Sequence, residues 1–111
     1  MESNEKSVVK DKQIENEMLI TDPSTVPVLF HEKKQMILKL LIDKEMTIID
    51  LKNETKMNPG TIKRHLENLI EKNLVIQSRT AKSEHGITMK YYRATANQFN
   101  VKLLWPIKEK S

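Results

Sequence analysis

Apolar residues recur every three or four positions in three short segments of the chain, and this spacing predicts three helices. The first segment spans residues 31–42, the second begins after Thr47, and the third begins after Asn58. The spacing directs the following side chains inward: Met36, Ile37, Leu40 and Leu41 in the first helix, Ile48 and Leu51 in the second, and Ile62, Leu66, Leu69 and Ile70 in the third. Each helix therefore has one face for a shared core.

The starts of the second and third helices contain favourable capping residues. Thr47 is followed three positions later by Asp50, which is the acidic variant of a capping box. Asn58 is a good N-cap residue, and Pro59 suits the first helical position because a missing N–H costs nothing there. About three residues separate the two helices, which is the tight turn of a helix-turn-helix unit.

After Asn73 the apolar period changes from that of a helix to that of a strand. The run LVIQSRT, the polar segment AKSEHG and the run ITMKYYRA predict a β-hairpin with a long tip. Ile87, Met89 and Tyr91 alternate with more polar residues in the second strand. We therefore expect Tyr91 in the core and Tyr92 on the other face of the hairpin. Three helices and this hairpin predict a mainly α fold with a small β-hairpin (α+β), the winged helix-turn-helix arrangement.

The two ends of the chain differ from this domain in composition. Residues 1–27 are polar and charged, and we expect a flexible arm or a helix that becomes ordered on a partner subunit. Residues 28–96 form the predicted domain. Residues 97–111 are a tail that packs either on the domain or on a second subunit, which makes it a candidate dimerisation segment. Its apolar side chains are Phe99, Val101, Leu103, Leu104 and Trp105.

The charge of the chain is uneven and favours an acidic partner such as nucleic acid. The formal net charge is +4, and residues 56–93 contain eight Lys or Arg against three Glu. The chain has no cysteine, which excludes disulfides and thiolate metal sites. Its first residues show no signal-peptide core, and no run approaches the length of a membrane span. We therefore expect a cytoplasmic protein that does not act at a membrane.

Three stretches of the chain resemble the winged helix-turn-helix transcriptional regulators, and within them the arsenical-repressor-like (ArsR-like) branch. They are KKQMILKLL, MTIIDLKNETKMNPGTIKRHLENLIEKNLV and KYYRAT, and they lie within residues 31–95. The resemblance implies a homodimer that binds double-stranded DNA. It also implies that the third helix enters the major groove and that the hairpin wing lies along the neighbouring backbone.

The resemblance further implies which residues contact the DNA. Arg64 can form paired hydrogen bonds with a guanine edge, Thr61 can contact a base or a phosphate, and Lys63 acts mainly on phosphates. The full expected set is Asn58, Gly60, Thr61, Lys63, Arg64 and His65 on the third helix, with Arg79, Lys82, His85 and Lys90 on the wing. Metal-sensing members of the family have cysteines in or near the second helix, so this chain lacks metal sensing by that route. No effector ligand follows from the sequence.

The sequence contains no recognisable set of catalytic residues. HEKKQ at residues 31–35 lacks the second histidine of a zinc protease pattern, and Glu67 and Glu71 have no nucleophile to accompany them. Two glycines cannot form a nucleotide-phosphate loop, so we expect no enzyme, metal or cofactor. The main hypothesis is a sequence-specific DNA-binding regulator. The alternatives are a non-specific architectural DNA-binding protein and a winged-helix module for protein interaction.

Overall fold

A computed structural model describes residues 14–106, in which one strand is followed by a run of helices and then by three further strands. The elements are β1 (Glu15–Ile20), a 3-10 turn (Pro23–Thr25), α1 (Val26–Leu29), α2 (Glu32–Asp43), α3 (Ile48–Thr55), α4 (Pro59–Glu71), β2 (Val75–Lys82), β3 (Thr88–Ala94) and β4 (Ala96–Val101). Helices α2, α3 and α4 are the three helices predicted above, and β2 with β3 is the predicted hairpin. The mainly α, α+β architecture is therefore confirmed.

Side-chain caps fix where α3 and α4 begin. The Asp50 N–H donates to Thr47 Oγ1 at 3.1 Å, and the Thr47 N–H donates back to the Asp50 carboxylate at 3.0 Å, which completes the predicted capping box. The Asn58 side chain accepts the N–H of Gly60 at 2.7 Å, with proline at the first helical position. Lys56 adopts a left-handed conformation that ends α3. Residues 56–58 therefore form the tight turn between the two helices.

The core lies where α2, α3 and α4 meet the base of the hairpin. Six side chains from these helices are almost fully buried there: Ile37, Leu41, Leu51, Ile62, Leu66 and Leu69. Met36 and Ile70, both predicted to point inward, are instead 41% and 37% exposed. Ile70 lies at the edge of the apolar arc of α4. In α2 the buried arc is formed by Ile37, Leu38 and Leu41, so it includes Leu38, which the prediction did not select, and leaves Met36 outside.

The hairpin strands β2 and β3 pair in antiparallel fashion, with an irregularity between Gln77 and Arg79. Met46 joins them as a one-residue third strand, because its N–H and C=O both pair with the backbone of Tyr92. Tyr92 is consequently buried, whereas Tyr91 is only half-buried on the other face. The predicted orientation of the two tyrosines is therefore wrong. The prediction followed apolar residues near the tip, where the hairpin extends beyond the core and Ile87 is exposed.

A second, parallel sheet joins the two ends of the domain. Strands β1 and β4 pair along their whole length, from Glu15 opposite Ala96 to Ile20 opposite Val101. Beyond the last pair, Lys102 donates its N–H to the Ile20 carbonyl at 2.9 Å. The buried Thr95 turns the chain from β3 into β4, since its hydroxyl donates to the Asn73 carbonyl at 2.9 Å. Strand β1 lies within the arm that was expected to be flexible or helical, whereas the pairing of β4 agrees with a tail that packs on the domain, one of the two expected alternatives. The part of the expected arm in residues 1–13 lies outside the described residues.

Candidate nucleic-acid interface

One side of α4 faces solvent while the other packs in the core. Gly60, Lys63 and Arg64 are exposed, and Thr61 and His65 are half-buried at one flank of the exposed side. A cap at Asn58 and a buried Leu66 hold the helix from below, so the exposed side chains project from a rigid support. The sequence-predicted residues of α4 are thus brought together on one continuous surface.

Gly60 has a local structural reason as well as the expected one of close approach to a partner. A Cβ built on this glycine would lie 3.2 Å from Asn58 Oδ1, the atom that accepts the Gly60 N–H. An alanine would press on the cap, so the glycine leaves the Asn58 side chain room to accept the hydrogen bond.

The cations on the solvent side of α4 form no ion pair with carboxylates of the described residues. Within residues 14–106 the one ion pair joins Arg79 to Glu45, so neither Lys63 nor Arg64 takes part in one. Both side chains are therefore available to an anionic or hydrogen-bonding partner.

The hairpin tip presents three of the four expected wing residues to solvent. Lys82, His85 and Lys90 are all exposed. The Ser83 hydroxyl accepts the N–H groups of His85 and Ile87 at 3.2 and 3.1 Å, and Gly86 adopts φ +79°, which closes the turn. The tip is therefore an ordered turn whose cationic side chains extend outward.

Arg79, the fourth expected wing residue, is held against the protein. Its Nε donates to Glu45 Oε2 at 2.7 Å, and its guanidinium carbon lies 3.9 Å from the centre of the Tyr91 ring. The Ser78 hydroxyl donates to the other oxygen of Glu45 at 2.8 Å. Burial is the largest single influence on the pKa of Glu45 and raises it, but the hydrogen bonds from Arg79 and Ser78, together with the positive charges of Arg79 and Arg93, outweigh burial and lower the pKa. Sequence reasoning missed Glu45 because 34 positions separate it from Arg79.

His65 packs against His31, the N-cap residue of α2. The ring centres are 5.2 Å apart with the planes tilted by 54°, and His31 Nδ1 accepts the N–H of Lys34 at 3.4 Å. Burial is the largest cause of the lowered pKa of His65, and nearby positive charges add to it. Those charges are on Lys34, His31, Arg64 and Lys33. Neutral His65 is therefore the favoured form near neutral pH.

The same part of the chain was also compared with the requirements of a metal centre and of a membrane-spanning helix. In residues 14–106 no three side chains among His, Asp and Glu gather as ligands for a metal ion. No helix in that range is long and apolar enough to cross a membrane.

Comparison with known proteins gives a family model that matches part of the chain and a set of similar folds. Residues 31–77 match the family model described as "Bacterial regulatory protein, arsR family". A search of curated proteins gave no match.

Several solved structures share the fold at low sequence identity. The transcriptional regulator HlyU from Vibrio vulnificus aligns with a TM-score of 0.51 at 20% identity, over 85% of this chain and 77% of that one. The transcriptional repressor BigR from Xylella fastidiosa gives 0.51 at 21%, over 64% of each chain. A possible transcriptional regulator from Methanosarcina mazei gives 0.53 at 15%, over 63% of this chain and 60% of that one. Residues 31–77 are therefore similar to the arsR family of bacterial regulatory proteins, and the chain has the winged helix-turn-helix fold of these solved structures.

Proposed function

We propose that this chain is a sequence-specific transcriptional regulator that binds double-stranded DNA with α4 in the major groove. The observation that supports this most is the solvent side of α4, where Lys63 and Arg64 are exposed and form no ion pair within residues 14–106. An α-helix fits the major groove of B-DNA, and its exposed side chains can then reach base edges. The arsR-family match covers this helix completely.

Each residue of α4 has a role that follows from its chemistry and position. Arg64 forms paired hydrogen bonds with a guanine, and Thr61 contacts a base or a phosphate. Lys63 neutralises a phosphate. Gly60 has no side chain and Asn58 is at the helix tip, so the DNA can come close to the first turn of α4.

The wing supplies further contacts to the DNA backbone. Lys82, His85 and Lys90 extend from the hairpin tip and act on phosphates, which sets the register of the protein on the duplex without specifying sequence. Arg79 lies at the base of the wing, where Glu45 and Tyr91 hold it, and its part in this proposal is to brace the hairpin.

Substitution of Arg64 tests the base contact. Arg64→Ala and Arg64→Lys should both lose discrimination between a duplex from upstream of the gene and a scrambled duplex, by roughly 1 to 3 kcal/mol. Arg64→Lys keeps the charge but cannot form the paired bonds, so it should retain the salt dependence of the wild type. Unchanged discrimination in both variants would remove Arg64 from base recognition.

The regulator acts as a homodimer in this proposal, with the tail at the subunit interface. Trp105 is 89% exposed, and Leu103 and Leu104 are exposed beside it, so the rest of residues 14–106 leaves this apolar segment uncovered. A chain that ends at Lys102 keeps the last hydrogen bond of the β1–β4 ladder and removes this segment. Light scattering should find that shortened chain monomeric. An intact dimer would exclude the tail as the interface.

A further inference from the structure

We propose that a second set of basic side chains, on the side of α4 away from the wing, contacts the phosphates of the opposite DNA strand. We call this set the basic edge; it consists of Lys33 and Lys34, at the start of α2 where His31 contacts His65 of α4. The inference rests on the proposed function, because it requires α4 to lie in the major groove.

The basic edge is joined to α4 by contacts between side chains. The rings of His31 and His65, whose centres are 5.2 Å apart, bring the start of α2 against the middle of α4. Lys34 is half-buried beside them, and Lys33 is exposed. The positive charges of both lysines lie close enough to His65 to lower its pKa, although burial lowers it more.

Helical geometry puts the basic edge and the wing on opposite flanks of α4. With about 100° per residue, His65 and Thr61 lie on one flank and Lys63 and Glu67 on the other. Glu67 lies near Tyr92 of the wing strand β3. Burial is the main cause of the raised pKa of Tyr92, and the negative charge of Glu67 raises it further. The exposed side of α4 with Arg64 therefore lies between two positively charged borders.

This arrangement matches the shape of the proposed partner. A helix in the major groove has a phosphate backbone along each of its two flanks, because the groove is only about 12 Å wide. The wing can serve one backbone. The lysines of α2 are placed to serve the other.

The lysines of the basic edge also have no carboxylate partner among the residues that the structure describes. Neither Lys33 nor Lys34 forms an ion pair within residues 14–106, and Arg64 adds a further positive charge beside them. Glu32 lies two positions before Lys34, on the opposite side of α2, so it cannot neutralise Lys34. Like charges held together without a counter-charge repel one another, and an anionic partner relieves that repulsion.

The test compares two double variants with the same change in net charge. Lys33→Gln/Lys34→Gln removes the charges of the basic edge but keeps long side chains and good helix formers. Lys39→Gln/Lys44→Gln removes two lysines that are exposed later on α2 and at its end. Anisotropy titrations of a labelled duplex across a range of salt concentrations give the slope of log affinity against log salt for each protein. Urea midpoints confirm that both variants are folded.

The edge variant should lose about 1.8 from the salt slope, which is about 0.9 for each phosphate contact, with cognate and scrambled duplexes affected alike. The control variant should keep a slope close to that of the wild type. A wild-type slope in the edge variant, or an equal loss in both variants, would overturn the inference while the proposed function stands. Failure of the wild type to bind any duplex at low salt would overturn both.

Discussion

Lys82 and Arg79 are both basic residues of the wing strand β2, yet they should affect DNA binding differently. Lys82 is exposed and forms no ion pair within residues 14–106, so it is available to a phosphate. Arg79 is bonded to Glu45 at 2.7 Å and lies over the ring of Tyr91. Only Lys82 should therefore release counterions when DNA binds.

The size of the difference follows from the number of phosphate contacts. One phosphate contact contributes about 0.9 to the slope of log affinity against log salt concentration. When salt rises from roughly 50 to 200 mM, the loss of affinity should therefore be about 3.5-fold smaller for Lys82→Ala than for the wild type. The variant Glu45→Gln/Arg79→Gln removes one negative and one positive charge, so the net charge of the protein is unchanged. It should keep the wild-type slope, which anisotropy titrations of one labelled duplex measure for all three proteins.

This reasoning would be refuted if the salt slope of Glu45→Gln/Arg79→Gln were reduced by as much as the salt slope of Lys82→Ala. Arg79 would then have to leave Glu45 and contact a phosphate in the complex. Urea midpoints of the variants, measured in the same buffer, separate a lost contact from partial unfolding.

Three further predictions concern the stability that supports the interface. Asn58→Ala removes the acceptor of the Gly60 N–H and should lower the free energy of unfolding by about 1 kcal/mol; an unchanged urea midpoint would show that the cap is dispensable. Leu69→Ala should cost about 2–5 kcal/mol and Ile70→Ala clearly less, because Leu69 is fully buried and Ile70 is 37% exposed; equal losses in urea titrations would contradict the packing of α4. The pKa of His65 lies below its usual 6.5 because of burial and nearby cations, so the unfolded chain takes up the proton first and stability falls as the pH drops through about 6.5. His65→Asn should reduce the difference in urea midpoint between about pH 7.5 and about pH 5.5, and an undiminished difference would assign it to other groups.

The helix-turn-helix could be predicted from sequence because its signals act between residues close together in the chain. The capping box of Thr47 and Asp50 spans three positions, and the cap of Asn58 spans two. The proline at position 59 restricts its own backbone and that of its neighbour. Such local preferences agree with the apolar period of the same helices, and the structure follows both.

Contacts between distant parts of the chain could not be predicted in the same way. The orientation of Tyr92 depends on backbone pairing with Met46, which no apolar period near either residue reveals. The pairing of β1 with β4 joins residues as distant as Glu15 and Ala96. Neither strand alternates apolar and polar residues along its whole length, so the sequence gives no clear strand signal there.

The candidate site follows the same division. The exposed side of α4 was predictable because the apolar arc of a helix also defines its polar arc. The state of Arg79 was not, since Glu45 and Tyr91 meet it only after the hairpin folds back on the helices. The contact of His31 with His65 likewise joins two helices 34 positions apart and has no signal in the sequence.

The most direct test of the central claim is fluorescence anisotropy of the wild-type protein with two duplexes, one from upstream of its gene and one of scrambled sequence, at low and at physiological salt. A sequence-specific regulator should prefer the upstream duplex by more than about a thousandfold at physiological salt. Equal affinity for both duplexes with a steep salt dependence would contradict sequence-specific regulation and indicate an architectural DNA-binding protein. Absence of binding even at low salt would contradict DNA binding altogether and favour a protein-interaction module.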